Sequence, residues 1–415
     1  MKAEILSIGS ELTSGQNLDT NSQWLSQRLA EIGIPVSSHT TVADDFDVNV
    51  EAFCIATRRA GIVLATGGLG PTQDDLTREV LARVAGVDLL LHEESLEHVR
   101  QMFARRNRTM PERNRVQAMV PAGAEVLPND RGTAPGIWMR VGGCVVAAMP
   151  GVPSEMHAMF EGQVKPRLIA MGLAGGVLVH RKINCFGAGE SAVEEKLLDL
   201  TQRGHVPEIG ITVGDATISL RILARAATAS EAQAQIEPVE RTIRGRLGNL
   251  VFGVEDEELQ DAVVRLLDEK RQTLATAESV TAGLVAHRIG LVPGASQWFR
   301  GGIVAYNDRV KVEMLGVSRE LIDEHGVISG PVAEAMAVGC RTRFRTDFAV
   351  STVGIAGPGG GSSDKPVGLV YVSLAWDGGA SSHSFSWIGT RYEVQSRTAK
   401  FALDRVRLRL MSNHL

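Results

Sequence analysis

The chain has 415 residues, of which 44% are hydrophobic and 22% charged, a balance that excludes a fibrous repeat and a disordered protein. This length predicts two or three domains, because one hydrophobic core rarely serves more than about 250 to 300 residues. With 43 basic and 48 acidic residues the net charge is −5, which gives the whole chain no bias toward binding polyanions.

The cysteines and the apolar runs predict a soluble, cytoplasmic protein. The cysteines at 54, 144, 185 and 340 form no CxxC or Cys/His pair, which favours a reducing compartment and disfavours structural zinc. The longest uncharged run, residues 348–363, is shorter than the roughly 20 apolar residues that span a bilayer. Because Glu4 lies inside a strand-like run, no signal peptide is expected.

Residues 1–170 alternate strand-like and helix-like segments, which is typical of an α/β domain built on a parallel sheet. The pattern predicts buried strands over 3–8 and 61–66, with crossover helices over 20–32 and 48–60. Further helices and strands are expected up to residue 170.

Two more segments follow this domain. Residues 171–254 predict a small α+β connector, in which two strands flank a hairpin turn at Gly214 and Asp215. Residues 255–415 predict a second α/β domain with its own core, which closes with a helix over 391–411.

Glycines and carboxylates follow the second buried strand of the first domain. This run leaves the strand and enters a helix, where free backbone N–H groups can bind a phosphate. Carboxylates beside it can hold a divalent cation. A tight turn whose aspartates only cap the next helix explains the run equally well. The candidates are Gly67, Gly68, Gly70 and Thr72 for the phosphate, and Asp74 and Asp75 for the cation.

Other loops of this domain carry further polar groups. The loop after the first strand contains Glu11 and Asp19, and two more glycine-rich loops cover 129–136 and 149–155. If these loops share one face of the sheet, several carboxylates surround a phosphate-sized space. That arrangement is what metal-assisted phosphoryl chemistry requires.

Four motifs of residues 1 to about 165 resemble the N-terminal domain of the competence-damage-inducible protein (CinA) family. They read GSELTSGQNLDTN, TGGLGPTQDDLT, RGTAPG and PGVPSEM. That domain is similar to molybdopterin-binding domains. The resemblance implies an ADP-ribose pyrophosphatase that forms AMP and ribose 5-phosphate with a divalent metal, Mg or Co.

A serine and a lysine indicate a second site in the last domain. Ser279 lies between a strand and a helix, where N–H groups can stabilise an oxyanion. A nucleophilic serine needs a base, and no histidine is a compelling candidate. Lys311 follows Tyr306 at a strand end, and burial lowers the pKa of a lysine in general. Taken alone, Ser279 is more typical of a helix N-cap, and Lys311 of a solvated side chain.

The motifs AESVTAG, YNDRVK, GIAGPGGGSSDKPVG and GTR, in order over 257–412, resemble the C-terminal domain of the same family, the nicotinamide-nucleotide amidase. The resemblance implies hydrolysis of nicotinamide mononucleotide to nicotinate mononucleotide and ammonia without a cofactor. Carried over by motif, Ser279 is the nucleophile, Lys311 its base, and Tyr306 assists proton transfer or orients the substrate. Substrate contacts are expected from Thr281, Gly283, Gly357, Gly359, Gly360 and Arg391.

These motifs depart from the family pattern at three positions. Ala282 replaces a glycine, Thr390 replaces an acidic residue, and Arg309 replaces an acidic residue before the lysine. None of the three removes a proposed catalytic group. The methyl group of Ala282 could, however, shift an oxyanion donor in the turn after Ser279.

Two other functions fit the sequence: molybdopterin binding without hydrolysis, and an accessory role in DNA uptake or recombination. The second would use the basic face of the last helix, but such faces are usually only solvated, and the net charge gives no support. The leading expectation is an enzyme of pyridine-nucleotide recycling. Its expected partners are small-molecule nucleotides and a second copy of the chain in a homodimer, with no membrane and no nucleic acid.

Overall fold

The computed structural model describes residues 1–173 and 175–412, which form two compact units. The first unit comprises Met1–Val179 and Ala224–Ala234, and the second comprises His180–Leu223 and the chain from Gln235 onward. In the described residues, no helix combines the length and the apolar character needed to cross a membrane. All four cysteines are free.

The first unit has alternating strands and helices. Its strands are β1 (Ala3–Ile8), β2 (Val36–Val42), β3 (Ile62–Thr66), β4 (Leu89–Leu91), β5 (Met119–Pro121), β6 (Glu125–Leu127), β7 (Gly136–Val141) and β8 (Cys144–Met149). Its helices are α1 (Ser10–Thr13), α2 (Thr20–Glu31), α3 (Phe46–Arg59), α4 (Thr77–Ala85), α5 (Glu93–Ala104), α6 (Pro153–Met159) and α7 (Lys165–Ala170), with a 3₁₀ helix over Glu112–Ala118 and a π-helical turn over Phe160–Val164.

A six-stranded sheet in the order β2-β1-β3-β8-β7-β6 forms the centre of this unit. The first four strands are parallel, and β7 and β6 add an antiparallel edge. β1 is buried along its whole length because both faces of the sheet are covered. Ile5 packs with Leu25 and Leu29 of α2, whereas Leu6 packs with Phe53 of α3 on the other face. The predicted parallel α/β fold is confirmed.

Glu4 places a buried carboxylate in β1. Arg59 of α3 donates to its two oxygens from Nε at 2.7 Å and Nη2 at 2.5 Å, and Thr40 of β2 donates at 2.8 Å. Burial raises the pKa of the Glu4 carboxyl, but the hydrogen bonds from Arg59 and Thr40 outweigh burial and hold the pKa below its ordinary value. The carboxylate therefore ties β1 to β2 and to α3.

The connector segment forms a four-stranded sheet of its own. Its elements are β9 (Val177–Cys185), α8 (Glu190–Glu195), β10 (Glu208–Gly214), β11 (Thr217–Ala226), α9 (Ala229–Leu247), a 3₁₀ turn over Gly248–Leu250 and β12 (Val251–Val254), with the strands in the order β10-β11-β9-β12. The hairpin turn lies one residue later than predicted. Gly214 pairs with Thr217, and Asp215 and Ala216 take the positive φ angles of 47° and 59° that a two-residue hairpin turn requires.

The C-terminal segment is a second α/β fold. Its elements are α10 (Leu259–Lys270), β13 (Leu274–Glu278), α11 (Leu284–Gly290), a 3₁₀ turn over Ala295–Gln297, β14 (Phe299–Val304), α12 (Asp308–Leu315), α13 (Arg319–His325), α14 (Gly330–Phe344), β15 (Phe348–Gly354), β16 (Leu369–Trp376), β17 (Gly379–Ser386) and α15 (Arg391–Met411). The sheet has the order β14-β13-β15-β16-β17.

The three strands β14, β13 and β15 are parallel, so their carboxyl ends meet at one edge of this sheet. Residues of three of the four C-terminal motifs follow those ends. Ser279 follows β13, Tyr306 comes two residues after β14, and the glycine run begins at the end of β15. The topology therefore gathers segments that are far apart in sequence.

We predict that Glu4→Gln lowers the melting temperature at pH 7, because Arg59 loses the charge of its partner. A loss of about 1 kcal/mol is expected. A carboxyl whose folded pKa is lowered stabilises the fold above its unfolded pKa and loses that effect as the pH falls through the folded pKa. The difference from the wild type should therefore shrink as the pH falls below about 4.5.

Thermal unfolding followed by circular dichroism between pH 7 and pH 3.5 measures this difference. Glu51→Gln, at an exposed position of α3, is the matched control and should change little. A loss of equal size at both ends of the pH range would assign the effect to packing instead of charge.

Candidate active site

A cavity of about 270 Å³ lies at the edge where the three parallel strands end. It brings together seven of the nine residues that the sequence assigns to this site. These are Ser279, Tyr306, Lys311, Gly357, Gly359, Gly360 and Arg391. Apolar side chains and one carboxylate make up most of the remaining lining, which consists of Val280, Val327, Ile328, Val353, Gly354, Ile355, Ala356 and Asp308.

Ser279 stands in a turn, not at the cap of a helix. Its backbone N–H donates to the carbonyl oxygen of Thr352 at 2.9 Å, which fixes it to β15. α11 begins only at Leu284, because Ala282 and Gly283 have positive φ angles of 53° and 98°. The N-cap position belongs to Gly283. The simple capping role for Ser279 is therefore wrong.

Glu278, which the sequence did not assign, holds this turn in place. The residue is 1% exposed. Its carboxylate accepts hydrogen bonds from the backbone N–H groups of Gly283 at 3.0 Å, Val285 at 2.9 Å and Ala286 at 2.8 Å. The first turn of a helix leaves such N–H groups without intrahelical partners. The carboxylate therefore caps α11 and at the same time fixes the residue before Ser279.

Thr281 and Gly283 were predicted to contact the substrate. In the structure they donate hydrogen bonds to Glu278 and hold the turn together. The Thr281 side chain is buried, and its hydroxyl lies 2.7 Å from both Glu278 Oε2 and the hydroxyl of Thr352. Gly283 gives its N–H to the same carboxylate. Both residues are engaged in holding Glu278, which is the physical reason for the difference from the prediction.

Lys311 is a buried amine. It is 2% exposed, so the interpretation as a solvated lysine is wrong. Its Nζ donates to Oδ1 of Asp308 at 3.2 Å, one turn earlier on α12. Arg309, the departure from the family pattern, is exposed and donates to Glu313 at 2.6 Å. The substitution therefore leaves the Lys311 environment intact.

Arg391 joins two walls of the cavity. Its Nη1 donates to the carbonyl oxygen of Gly357 at 2.7 Å, and its Nη2 donates to the hydroxyl of Tyr306. A side chain at Gly357 would place its Cβ only 2.6 Å from Val367, and φ is +81° there, so the loop requires glycine at this point. Thr390 replaces the acid of the family motif and caps α15, in a capping box with Glu393.

The glycine loop of the first unit lies beside the other predicted loops. Asn21 donates from Nδ2 to the carbonyl oxygen of Gly151 at 2.8 Å and to Thr66 at 3.1 Å. Gly67 donates its N–H to the carbonyl oxygen of Met149 at 3.1 Å. The loops that follow β1, β3 and β8 therefore share one edge of the sheet.

The predicted metal ligands do not form one donor set. Asp75 accepts from the backbone N–H groups of Gly70 at 2.7 Å and Thr72 at 2.9 Å, so it closes its own turn. Asp19 caps α2 by accepting from Ser22 at 2.9 Å. In the part of the chain that the structure describes, no three His, Cys, Asp or Glu side chains gather as a cation site would need.

Asp74 and Glu11 are the two predicted ligands that are exposed. Mg²⁺ commonly binds through one or two carboxylates and the phosphates of a substrate, keeping several waters. The exposed Asp74 fits that kind of bridged ion, whereas the four carboxylates do not fit a preformed site. The Mg or Co requirement stays a prediction.

Three family models match the chain in succession. The probable molybdopterin binding domain matches residues 4–170, the damage-inducible protein CinA KH domain residues 180–253, and the CinA C-terminal domain residues 256–410.

Full-length relatives are also similar. A CinA-like protein of Dictyoglomus thermophilum is 43% identical over 412 residues, covering 99% of this chain and all of the relative. A putative competence-damage inducible protein of Symbiobacterium thermophilum is 44% identical over 424 residues, covering 99% of each chain. The crystal structure of a competence/damage inducible protein from Agrobacterium tumefaciens is 35% identical, with a TM-score of 0.36, and covers 37% of this chain and 94% of that one.

We predict that Ala282→Gly stabilises the protein. Alanine with a φ of 53° is strained because its Cβ approaches the backbone, and glycine carries no such strain. The expected gain is about 1 kcal/mol in the free energy of unfolding. Thermal unfolding measures it, with Ala286→Gly in the regular part of α11 as a matched control that should be destabilising. A lower melting temperature for Ala282→Gly would contradict the strain.

Proposed function

This chain belongs to the CinA family, and we propose that its C-terminal domain hydrolyses the carboxamide of nicotinamide mononucleotide. The products are nicotinate mononucleotide and ammonia. The observation that carries the proposal is the joint presence of Ser279, a buried Lys311 and Arg391 around one cavity. A hydroxyl, an amine shielded from water and a guanidinium are the groups needed to attack an amide and to hold a phosphorylated substrate.

In the proposed reaction Lys311 acts as the base that takes the proton from the Ser279 hydroxyl. The serine oxygen attacks the carboxamide carbon, and the tetrahedral intermediate collapses with loss of ammonia, which receives the proton from Lys311. Water then hydrolyses the nicotinoyl ester of Ser279 by the same proton route. Asp308, whose Oδ1 lies 3.2 Å from Lys311 Nζ, stabilises the ammonium that forms between these steps.

Arg391 is the proposed contact to the substrate phosphate. A guanidinium has five N–H donors, and the bonds to Gly357 and Tyr306 use two of them. Among the residues that the structure describes, the other donors of Arg391 have no partner and are available for a phosphate, which an arginine binds through two parallel hydrogen bonds. The bond from Nη2 holds Tyr306 at the cavity, where this residue is 55% exposed and can contact the substrate.

We predict that Ser279→Ala and Lys311→Met each lower kcat for ammonia release from nicotinamide mononucleotide by roughly a thousandfold or more. The first variant removes the nucleophile and the second removes the base. Ammonia is measured in a coupled assay, without added metal and in the presence of a chelator.

Ser384→Ala, at an exposed position of β17, and Lys270→Met, exposed at the end of α10, are matched controls that should keep full activity. Circular dichroism checks the fold of each variant. Wild-type activity in both site variants would refute the mechanism. An inactive wild type would refute the substrate.

We further propose that the N-terminal domain cleaves ADP-ribose to AMP and ribose 5-phosphate. The specific support is the shared edge on which the loops after β1, β3 and β8 meet, because glycine-rich strand-end loops suit a pyrophosphate. A divalent ion held by Asp74 and the substrate would neutralise the charge of the pyrophosphate. A homodimer is the expected assembly.

We predict that Asp74→Asn lowers the rate of AMP formation about tenfold or more, equivalent to about 1.4 kcal/mol of barrier. The substitution removes the exposed carboxylate but leaves Asp75 to close the turn. AMP is measured at increasing Mg²⁺ or Co²⁺, and more metal should be needed by the variant.

Asp47→Asn, at an exposed position of α3, is the control, and ammonia release should be unchanged in both variants. If Asp74→Asn has the same metal dependence as the wild type, Asp74 does not hold the divalent ion. Tight binding of molybdopterin without any AMP formation by the wild type would favour the binding function instead.

A further inference from the structure

The tip of the connector hairpin packs against α15, the helix that begins at Arg391. Asp215 accepts from the Ser396 hydroxyl at 2.6 Å, and its carboxylate lies 3.1 Å from Nζ of Lys400. Lys400 also donates to the backbone carbonyl of Asp215 and to the hydroxyl of Thr217, both at 3.0 Å. The turn is thus fixed to α15 through side chains and backbone together.

Asp215 is the carboxylate at the centre of a group of cations. Besides Lys400, which is 5% exposed, Arg288 of α11 lies 3.8 Å away and Arg397 of α15 lies 3.9 Å away. Glu258 is a second carboxylate near Lys400, at 4.0 Å. A buried lysine that loses its close partner is unfavourable, so the position of the first turns of α15 depends on Asp215.

The opposite side of those turns contacts the cavity. Arg391 bonds to Gly357 and Tyr306, as described above. Gln395 donates to the carbonyl oxygen of Val280 at 2.9 Å, next to the candidate nucleophile. Ser396, which holds Asp215, also accepts from Arg288 at 2.9 Å. One short helical segment therefore links the connector to the substrate side of the site.

We infer that Asp215 is a positioning residue of the amidase and that the connector hairpin is part of the working site. Asp215 does not line the cavity. It fixes the start of α15 so that Arg391 meets the substrate phosphate, and this role rests on the proposed function. The competing explanation is that the hairpin contact contributes only to stability.

The two explanations predict different results for a substrate that lacks a phosphate. If Asp215 positions Arg391, its loss lowers kcat/KM for nicotinamide mononucleotide. It leaves kcat/KM for nicotinamide riboside, which lacks the phosphate, largely unchanged. If the contact only stabilises the fold, both substrates lose activity equally through a smaller active fraction. The ratio of kcat/KM for the two substrates therefore separates positioning from stability.

The experiment uses the full chain with Asp215→Ala and Asp215→Asn. We expect the KM for nicotinamide mononucleotide to rise about tenfold in Asp215→Ala with little change in kcat, because the contact acts on ground state and transition state alike. Asp215→Asn keeps a hydrogen-bond acceptor for Ser396 but loses the charge, so its effect should be intermediate. The matched control is Asp377→Ala, an exposed aspartate after β16, near the tip of the β16–β17 hairpin.

Hydrogen exchange gives a readout that does not need activity. Amides of Glu393–Lys400 should exchange faster in Asp215→Ala than in the wild type, and amides of β17 should not. If the wild type releases no ammonia, the proposed function fails and the exchange still tests the positioning. The inference would be overturned if an active Asp215→Ala enzyme lost kcat/KM equally for both substrates, so that their ratio was unchanged. Unchanged hydrogen exchange in Glu393–Lys400 would also overturn it.

Discussion

The buried carboxylate of Glu278 is the interaction on which the C-terminal site depends. A helix start leaves several N–H groups without partners, and here one side chain satisfies three of them together with the Thr281 hydroxyl. Because Glu278 is the last residue of β13, the same contacts join the sheet to α11. Ser279 lies between these two fixed points, so its place is set before any substrate arrives.

The direction of the parallel strands brings the other site residues together. Parallel strands end at one edge, and in the C-terminal sheet this brings together Ser279, Tyr306 and the loop of Gly357, which are separated by up to 78 residues in the numbering. The sheet of the first unit uses the same rule for the loops after β1, β3 and β8. In both sheets apolar clusters pack against the faces, while the polar groups of the candidate sites lie at the strand ends.

Hydrophobic periodicity predicted the fold class and most elements, because the buried strands and amphipathic helices are long. The short strands β4, β5 and β6 were not predicted, since three residues carry too little pattern. The motifs located the pocket residues, but they gave Glu278 of AESVTAG no role, and Asp215 was predicted only as part of the hairpin turn. Both roles depend on contacts made in the folded chain, with the start of α11 for Glu278 and with α15 for Asp215. The metal prediction failed as a four-ligand set because Asp19 and Asp75 are used by their own turns, which loop composition does not reveal.

The departures from the family pattern are each accommodated locally, and this argues that they alter stability more than chemistry. Ala282 accepts a left-handed φ with its side chain exposed, outside the contacts that hold Glu278. Thr390 caps α15 in a capping box with Glu393, and Arg391 is oriented by its hydrogen bonds to Gly357 and Tyr306. Arg309 pairs with Glu313 in solvent. The hydrogen bonds that hold the cavity-lining groups in place therefore do not depend on the three changed residues.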